Sequence, residues 1–281
     1  MRQARIVTDS VAELDPQVAQ DLGILVVPLE LRIGGQTVAD ASEMRQRSFH
    51  EFALRERALP QVVCPPAREF REVYAKLARE VDDIVSVHVS TFPCNTYRPA
   101  LEAASSLLGR ARIEVIDSTF MSAGMGAIVV EAATAARDGA DGPEVVRLVR
   151  GLIPHTYLAF YVDNLSVMRR SGALQYSDQP VLSSSSAKPL FVMEGGVITQ
   201  QFRVRKKGSA LERLVDFVTE FLTLRSLTIV HSGLMPEIKE LREALSANQR
   251  LPIFSEHIYG PAVAALLGPK VLGVVVVEGG D

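Results

Sequence analysis

The sequence has few of the features that mark secreted or membrane proteins. Only two of its 281 residues are cysteine, which is too few for a framework of disulfide bonds. No apolar run approaches the about 20 residues that a helix needs to span a bilayer, and the N-terminal stretch lacks the apolar core of a signal peptide. These absences predict a cytoplasmic protein without stable membrane insertion.

An excess of charge of one sign is also missing. The net charge is −3, and acidic and basic residues are interspersed along the chain. A protein that grips a phosphate backbone needs a basic surface, so nucleic acid is not an expected partner. The hydrophobic fraction of 47% is ordinary for a folded protein, and 281 residues exceed the usual size of one core. Two domains are therefore expected.

The motifs of several enzyme classes are absent as well. No Gly-x-Gly-x-x-Gly or Walker loop follows a strand pattern, no Gly-x-Ser-x-Gly elbow occurs, and the histidines and cysteines are not spaced as metal ligands. A Ser-His-Asp arrangement using Ser10 or Ser90 with His88 is conceivable, but His88 is more simply a buried, hydrogen-bonded histidine. We expect no metal, no cofactor and no enzymatic activity.

Strand and helix patterns alternate in the first half of the chain. Strand-like runs at 4–8, 25–32, 84–89 and 113–116 alternate with helical patterns at 49–57, 67–79, 96–108 and 122–137. Such alternation predicts a mainly parallel sheet with helices on its faces. From residue 157 onward, short strands at 157–162, 189–193, 197–202, 227–231 and 271–277 with helices at 209–222 and 236–246 predict a smaller α+β domain. We therefore predict domains at residues 1–156 and 157–281.

Two polar residues stand where the first strand ends. Asp9 and Ser10 follow the run Arg5-Ile-Val-Thr8, and a helix-like stretch comes next. Ligands of open α/β sheets bind beyond the carboxyl ends of the strands, which favours a binding role. Both residue types also cap helices, so a purely structural role stays open.

Several short motifs follow one another along the chain, at 5–10 with 26–29, 87–91 with 95–97, 115–118 through 125–126, 170–174, 188–189, 203–207 and 268–269. In this order and at nearly this spacing, they resemble the motifs of the DegV family. The resemblance covers essentially the whole chain. It implies a Rossmann-like N-terminal domain, an α/β C-terminal domain and a long-chain fatty acid in a tunnel between them. Some family members deliver this ligand to a separate fatty acid kinase.

The resemblance also implies a set of ligand-binding residues: Asp9, Ser10, Val62, Val63, Ser90, Thr91, Cys94, Asn95, Thr96, Ser118 and Leu266. The sequence departs from the family where the fatty-acid carboxylate is usually held. Val62 replaces a hydroxyl, Cys94 replaces a serine, and Leu266 replaces a basic or imidazole side chain. Phe92 replaces a small residue and could fill tunnel volume.

Three hypotheses follow. In the first, the protein binds a fatty acid or related acyl ligand, whose head group is less acidic than usual or differently placed, and carries it to a partner enzyme. In the second, the fold persists as a regulatory or interaction protein that has lost lipid binding. In the third, Cys64 and Cys94 form a redox-sensitive pair, which requires Cα atoms within about 7 Å, although free cysteine is more often a small buried hydrophobe.

Overall fold

The structure is a computed structural model that describes residues 4–33, 36–39, 49–51, 53, 61–89, 95–176, 188–204, 207–248 and 251–279. The chain divides into two compact units. The first comprises Met1–Glu43 and Gln61–Ile153, and the second comprises Met44–Pro60 and Pro154–Asp281. The domains predicted from the sequence, at residues 1–156 and 157–281, remain a prediction.

The first unit contains two sheets. Its strands are β1 (Arg5–Asp9), β2 (Leu25–Val27), β3 (Glu30–Ile33), β4 (Gln36–Ala39), β5 (Gln61–Val63), β6 (Asp83–His88) and β7 (Arg112–Asp117). A parallel sheet has the order β2-β1-β6-β7, and a small antiparallel sheet has the order β4-β3-β5. The helices are α1 (Pro16–Asp21), α2 (Ala67–Leu77), α3 (Tyr97–Ser105), α4 (Ser122–Arg137) and α5 (Gly142–Leu152).

Buried apolar faces hold the helices of this unit in place. Every residue of β6 is buried, as expected for a strand covered on both faces of a parallel sheet. One core cluster joins Phe70, Tyr74 and Leu77 of α2 to Ala100 and Ala103 of α3. The α5 helix begins with a capping box between Asp141 and Glu144, which satisfies free N–H groups of its first turn.

The run at 25–32, predicted as one strand, forms two. Pro28 lies between β2 and β3 and has no N–H to donate to a ladder. The N–H of the next residue, Leu29, donates instead to the Ser10 hydroxyl at 2.8 Å. The chain thus leaves the parallel sheet at Pro28 and enters the antiparallel one, so the single-strand prediction is wrong here.

The second unit is built on a six-stranded mixed sheet. Its strands are β8 (Thr156–Val162), β9 (Lys188–Glu194), β10 (Val197–Val204), β11 (Leu224–His231), β12 (Ser255–Ile258) and β13 (Val271–Glu278), in the order β10-β9-β8-β13-β11-β12. Only the β11–β12 pair is parallel. The helices are α6 (Ser166–Ser171), α7 (Lys207–Thr219), α8 (Glu237–Ser246) and α9 (Pro261–Leu267).

Strands β9 and β10 form an antiparallel hairpin. Gly195 and Gly196 have φ values of 53° and 81°, the positive region that glycine enters without steric cost and that a two-residue type I′ turn requires. The sequence patterns did not indicate β12, α6 or α9. The predicted α/β fold with a parallel sheet is confirmed, and the sheet of the second unit is mixed.

A short helical segment far away in sequence completes the core of the second unit. His50 is fully buried, and its Nε2 lies 2.8 Å from the carbonyl oxygen of Tyr259, 209 residues further along the chain. The His50 ring also lies edge-on to the rings of Phe49 and Tyr259, with centroids 5.3 and 4.7 Å away. These contacts join Phe49 and His50 to the second unit.

Candidate functional site

The carboxyl ends of three parallel strands meet at one edge of the sheet in the first unit. Val7 of β1 pairs with Ser86 of β6, and His88 of β6 pairs with Asp117 of β7. This register places Asp9, His88 and Asp117 side by side, next to the loops that carry Ser10, Thr96 and Ser118. Strand ends of this kind are the usual ligand position in open α/β sheets.

A chain of four buried polar groups runs into this edge. Tyr74 OH donates to Ser86 Oγ at 2.8 Å, and Ser86 Oγ lies 2.7 Å from His88 Nε2. On the other side of the ring, His88 Nδ1 lies 2.7 Å from Asp9 Oδ2. With Tyr74 as donor at one end and the Asp9 carboxylate as acceptor at the other, the Ser86 hydroxyl donates to the ring and Nδ1–H donates to Asp9.

These side chains follow the Ser-His-Asp order of a hydrolase triad, but a substrate cannot reach them. Tyr74, Ser86, His88 and Asp9 are all fully buried, and the Ser86 hydroxyl is shared between Tyr74 and His88. Burial also raises the pKa of the Tyr74 phenol well above its usual range, which keeps it a neutral donor. The interpretation of His88 as a satisfied core histidine is confirmed. Strand alternation places Ser86 on the same face as His88, but sequence reasoning did not indicate their hydrogen bond and missed Tyr74.

Asp9 also has a structural role at the end of β1. Its Oδ1 accepts the backbone N–H of Val11 at 2.9 Å and caps the 3-10 turn formed by Ser10–Ala12. The capping interpretation is therefore confirmed. Both carboxylate oxygens of Asp9 have protein partners, Val11 and His88, so its predicted contact with a ligand would have to compete with them.

The hydroxyls of the other predicted residues shape the same loops. Thr96 is fully buried and its Oγ1 bonds the backbone of Val89, 3.3 Å from the nitrogen and 3.4 Å from the oxygen. Ser118, also fully buried, donates to the carbonyl of His88 at 2.8 Å and lies 3.0 Å from that of Phe120. The Asn95 side chain is exposed and accepts the N–H of Arg98 at 3.0 Å.

Strained backbone concentrates at this edge as well. Among the described residues, the non-glycine residues with positive φ are Glu13 at 49°, Thr119 at 58° and Ser122 at 52°. Ser122 Oγ donates to Glu13 Oε2, and this bond joins the loop after β1 to the loop after β7. Strained conformations of this kind collect at ligand sites. Thr119 is a further candidate, which the sequence did not indicate. Its Oγ1 is buried and has no hydrogen-bond partner among the described residues.

The predicted apolar residues lie in two places. Val62 and Val63 are half-buried on β5, which pairs with β3 at the edge of the small sheet. Leu266, in α9 of the second unit, is 1% exposed, and its carbonyl accepts the Ser171 hydroxyl at 2.8 Å. Three other predicted ligand residues, Ser90, Thr91 and Cys94, lie outside the described residues, as does Phe92.

Cys64, which directly follows β5, forms a disulfide bond. The one other cysteine of the chain is Cys94, which lies outside the described residues. Across the described part of the chain, histidine, cysteine, aspartate and glutamate form no group of three or more suited to a metal ion. Among those same residues, no helix has the length and apolar character needed to cross a bilayer.

The fold and this site define a two-unit α/β protein whose buried polar chain supports the strand ends and whose loop hydroxyls lie beside them. The sequence profile described as "Uncharacterised protein, DegV family" matches residues 3–279. The chain belongs to the DegV family. It is 27% identical over 277 residues to a DegV domain-containing protein of Caldanaerobacter subterraneus subsp. tengcongensis, covering 98% of each chain, and 25% identical to Protein DegV of Bacillus subtilis, covering 96% and 97%.

Solved structures show the same fold. A DegV family protein from Thermus thermophilus, described as binding fatty acid, superposes with a TM-score of 0.86 at 23% identity and covers 98% of this chain and 99% of its own. Bacillus subtilis DegV, described as a fatty acid binding protein, has a TM-score of 0.85 at 21% identity and covers 99% and 100%. The expected DegV fold is confirmed.

Proposed function

We propose that this protein binds a long-chain fatty acid or a related acyl ligand and carries it to a partner enzyme. The observation that supports this most is the agreement in fold, over 98% of the chain, with the Thermus thermophilus protein described as binding fatty acid. Burying an acyl chain is favourable by about 0.8 kcal/mol for each methylene. Binding of this kind needs an apolar path and a few polar groups, and it needs no catalytic residue.

The head group is the part of the ligand that we expect to differ. The family resemblance implies a carboxylate site at Val62 and Leu266, whose side chains have no donor, and the hydroxyls of Thr96 and Ser118 already bond the backbone. A buried carboxylate without partners is strongly disfavoured, so a ligand with a weakly acidic or neutral head group fits better. The buried hydroxyl of Thr119 is the donor that we assign to this head group.

Native mass spectrometry after organic extraction tests the proposal. We expect an added mass of one acyl compound on the protein purified from its own host and from a recombinant one. The variant Thr119→Val removes the hydroxyl and keeps the branched shape, so it should weaken retention of the ligand. The control Thr223→Val, at an exposed position, should retain it. A reproducibly empty protein from both sources would instead support an interaction protein that has lost lipid binding.

A partner kinase would act on the bound ligand, as the family resemblance implies. The protein itself would then hold the acyl compound without turning it over. Purified protein incubated with fatty acid, ATP and Mg²⁺ should release no ADP. An ADP-releasing activity that co-purifies with the protein through successive steps would instead show that it is an enzyme.

The disulfide at Cys64 supports a second, redox-dependent role. Disulfides in cytosolic proteins are usually transient and regulatory. Reduction by a dithiol would open the bond, giving two protein thiols while the dithiol becomes a cyclic disulfide. Alkylation followed by intact mass measurement should therefore label cysteine only after reduction. If reduction leaves acyl affinity unchanged, the bond is structural and this role is excluded.

A further inference from the structure

The second unit contains a cavity of about 530 Å³ at the end of its sheet where β8 begins. Its walls come from β8, β9, β10, β13 and the region at the end of α7. Pockets for small ligands commonly measure about 300–1,000 Å³, so this cavity has room for a small organic molecule. Unlike the strand ends discussed above, it lies wholly within the second unit.

Three aromatic rings form one wall of the cavity. The rings of Tyr157 and Phe221 have centroids 5.1 Å apart, and those of Phe217 and Phe221 lie 5.3 Å apart at an angle of 77°. Two nearly perpendicular rings with a third beside them form a corner of π faces. Each π face carries partial negative charge and attracts a cation placed over it.

Acidic side chains complete the lining. Four carboxylates, those of Glu194, Asp216, Glu220 and Glu278, line the cavity together with one guanidinium, that of Arg213. Arg213 pairs with Asp216 on its own helix at 3.4 Å. Neither Glu194 nor Glu220 forms a salt bridge with a cation within the described part of the chain. The cavity is therefore strongly negative, while the whole chain carries a net charge of only −3.

The same negative field acts on Tyr157. Burial raises the pKa of its phenol, and the charges of Glu278 and Glu194 raise it further. Glu278 also lies 3.2 Å from His155 Nδ1, so this carboxylate already has a partner in the protein. An added positive charge between these groups would be attracted by all of the carboxylates.

The arrangement favours an organic cation over a metal ion. Hard metal ions need several oxygen ligands converging at about 2–2.6 Å. No such group of acidic and histidine side chains occurs among the described residues. Leu190 and Val192 add apolar surface to the lining. Dispersed carboxylates, π faces and aliphatic walls suit a large, weakly hydrated cation that carries its own methyl groups.

We propose that this cavity binds an alkylated ammonium ion, with its cationic group against Phe217, Phe221 and Tyr157 and its charge balanced by the surrounding carboxylates. This site is separate from the strand ends of the first unit and does not depend on the proposed lipid-binding function. Aromatic cages that recognise quaternary ammonium groups use the same combination of rings and acids.

Titration with choline chloride, followed by NMR signals of the phenylalanine and tyrosine rings, tests the proposal. The uncharged analogue 3,3-dimethylbutan-1-ol has nearly the same shape, and sodium chloride at equal ionic strength controls for salt. We expect saturable shifts with choline, binding of the alcohol weaker by about tenfold or more, and no saturation with sodium. Equal binding of choline and the alcohol, or no saturation with choline, would overturn the proposal.

Variants locate the site. Phe221→Leu removes a π face but keeps apolar volume, and Glu220→Gln removes one charge from an exposed position; each should weaken choline binding by about three- to tenfold. The matched control Glu212→Gln removes an exposed charge from α7, outside the cavity lining, and should leave binding unchanged. Equal effects of the two glutamate variants, in proteins with unchanged thermal midpoints, would refute a local site.

Discussion

At the residue scale, a buried series of hydrogen bonds links Tyr74, Ser86, His88 and Asp9 in the first unit. Each member depends on its neighbours, because a buried donor or acceptor that loses its partner costs the full penalty of desolvation. The chain ends on Asp9, which also caps the turn after β1. The conformation of the loop at the proposed ligand site is therefore coupled to a core tyrosine on a helix.

We predict that Ser86→Ala destabilises the protein by about 1–3 kcal/mol, because Tyr74 OH and His88 Nε2 both lose their partner. The control Ser105→Ala removes an exposed hydroxyl that bonds only the carbonyl of Leu101 within its own helix. It should change stability by less than about 0.5 kcal/mol. Urea unfolding measured by circular dichroism checks both values. Equal effects of the two variants would contradict the role assigned to the buried chain.

Another residue-scale prediction concerns acid stability in the second unit. Arg242 makes two hydrogen bonds to the Glu256 carboxylate, and this contact lowers the pKa of Glu256. Burial lowers the pKa of His231, whose Nε2 lies 3.3 Å from Glu256, although the neighbouring carboxylate opposes the effect. Both groups bind protons more readily when unfolded, so their stabilisation is present near pH 7 and declines as the pH falls below 6.5 and then below 4.5.

Replacement of Arg242 should reduce the loss of stability that occurs below pH 4.5. Arg242→Met removes the bonds that hold the pKa of Glu256 low, so less stability should be lost between pH 5 and 3 than in the parent protein. The control is Arg225→Met, on the neighbouring strand β11. Thermal midpoints measured from pH 7 to pH 3 check the prediction, and parallel curves for all three proteins would contradict it.

At the element scale, close backbone contacts decide where glycine is required. A Cβ atom on Gly126 of α4 would lie 2.8 Å from the carbonyl oxygen of Ala12, in the turn that Asp9 caps. Gly126 therefore lets α4 pack directly against this turn. Gly151 in α5 has open space around it.

We predict opposite effects for two glycine substitutions. Gly126→Ala should destabilise the protein by about 1–3 kcal/mol, because helix and turn must move apart. Gly151→Ala should stabilise it by about 0.4–1 kcal/mol, because alanine restricts the unfolded chain and fits an exposed helix. Denaturant unfolding measures both. A stabilising Gly126→Ala would show that α4 does not pack closely against the turn.

The sequence predicts an element well when the contacts that determine it are local, and poorly when they join residues far apart in the chain. The strand before Asp9, the helix from Ser122 and the Gly195-Gly196 turn follow from local pattern and backbone preference. The break at Pro28 is not evident from apolar pattern alone, because the Leu29 N–H bonds the distant Ser10. The hydrogen bond between Tyr74 and Ser86 likewise depends on how α2 packs against β6, which the pattern of either segment alone does not specify.

At the scale of the whole molecule, the proposed ligand should stabilise the protein by mass action. A ligand at about one hundred times its Kd adds about 2.7 kcal/mol. Because Val62 and Leu266 offer no charge to a carboxylate, we expect oleyl alcohol and oleic acid to raise the thermal midpoint of delipidated protein by similar amounts. Differential scanning calorimetry checks this. A large preference for the acid would indicate a carboxylate partner outside the described residues.

The position of His50 has a consequence for how the protein is made. Its segment emerges from the ribosome long before Tyr259, from which 209 residues separate it. At about 5–20 residues per second, that interval lasts on the order of 10–40 s. During this time the segment around His50 has no core of the second unit to pack into. Its apolar side chains must therefore stay exposed to solvent or be bound by a chaperone. Synthesis of the second unit as an isolated C-terminal fragment would leave that place in its core vacant.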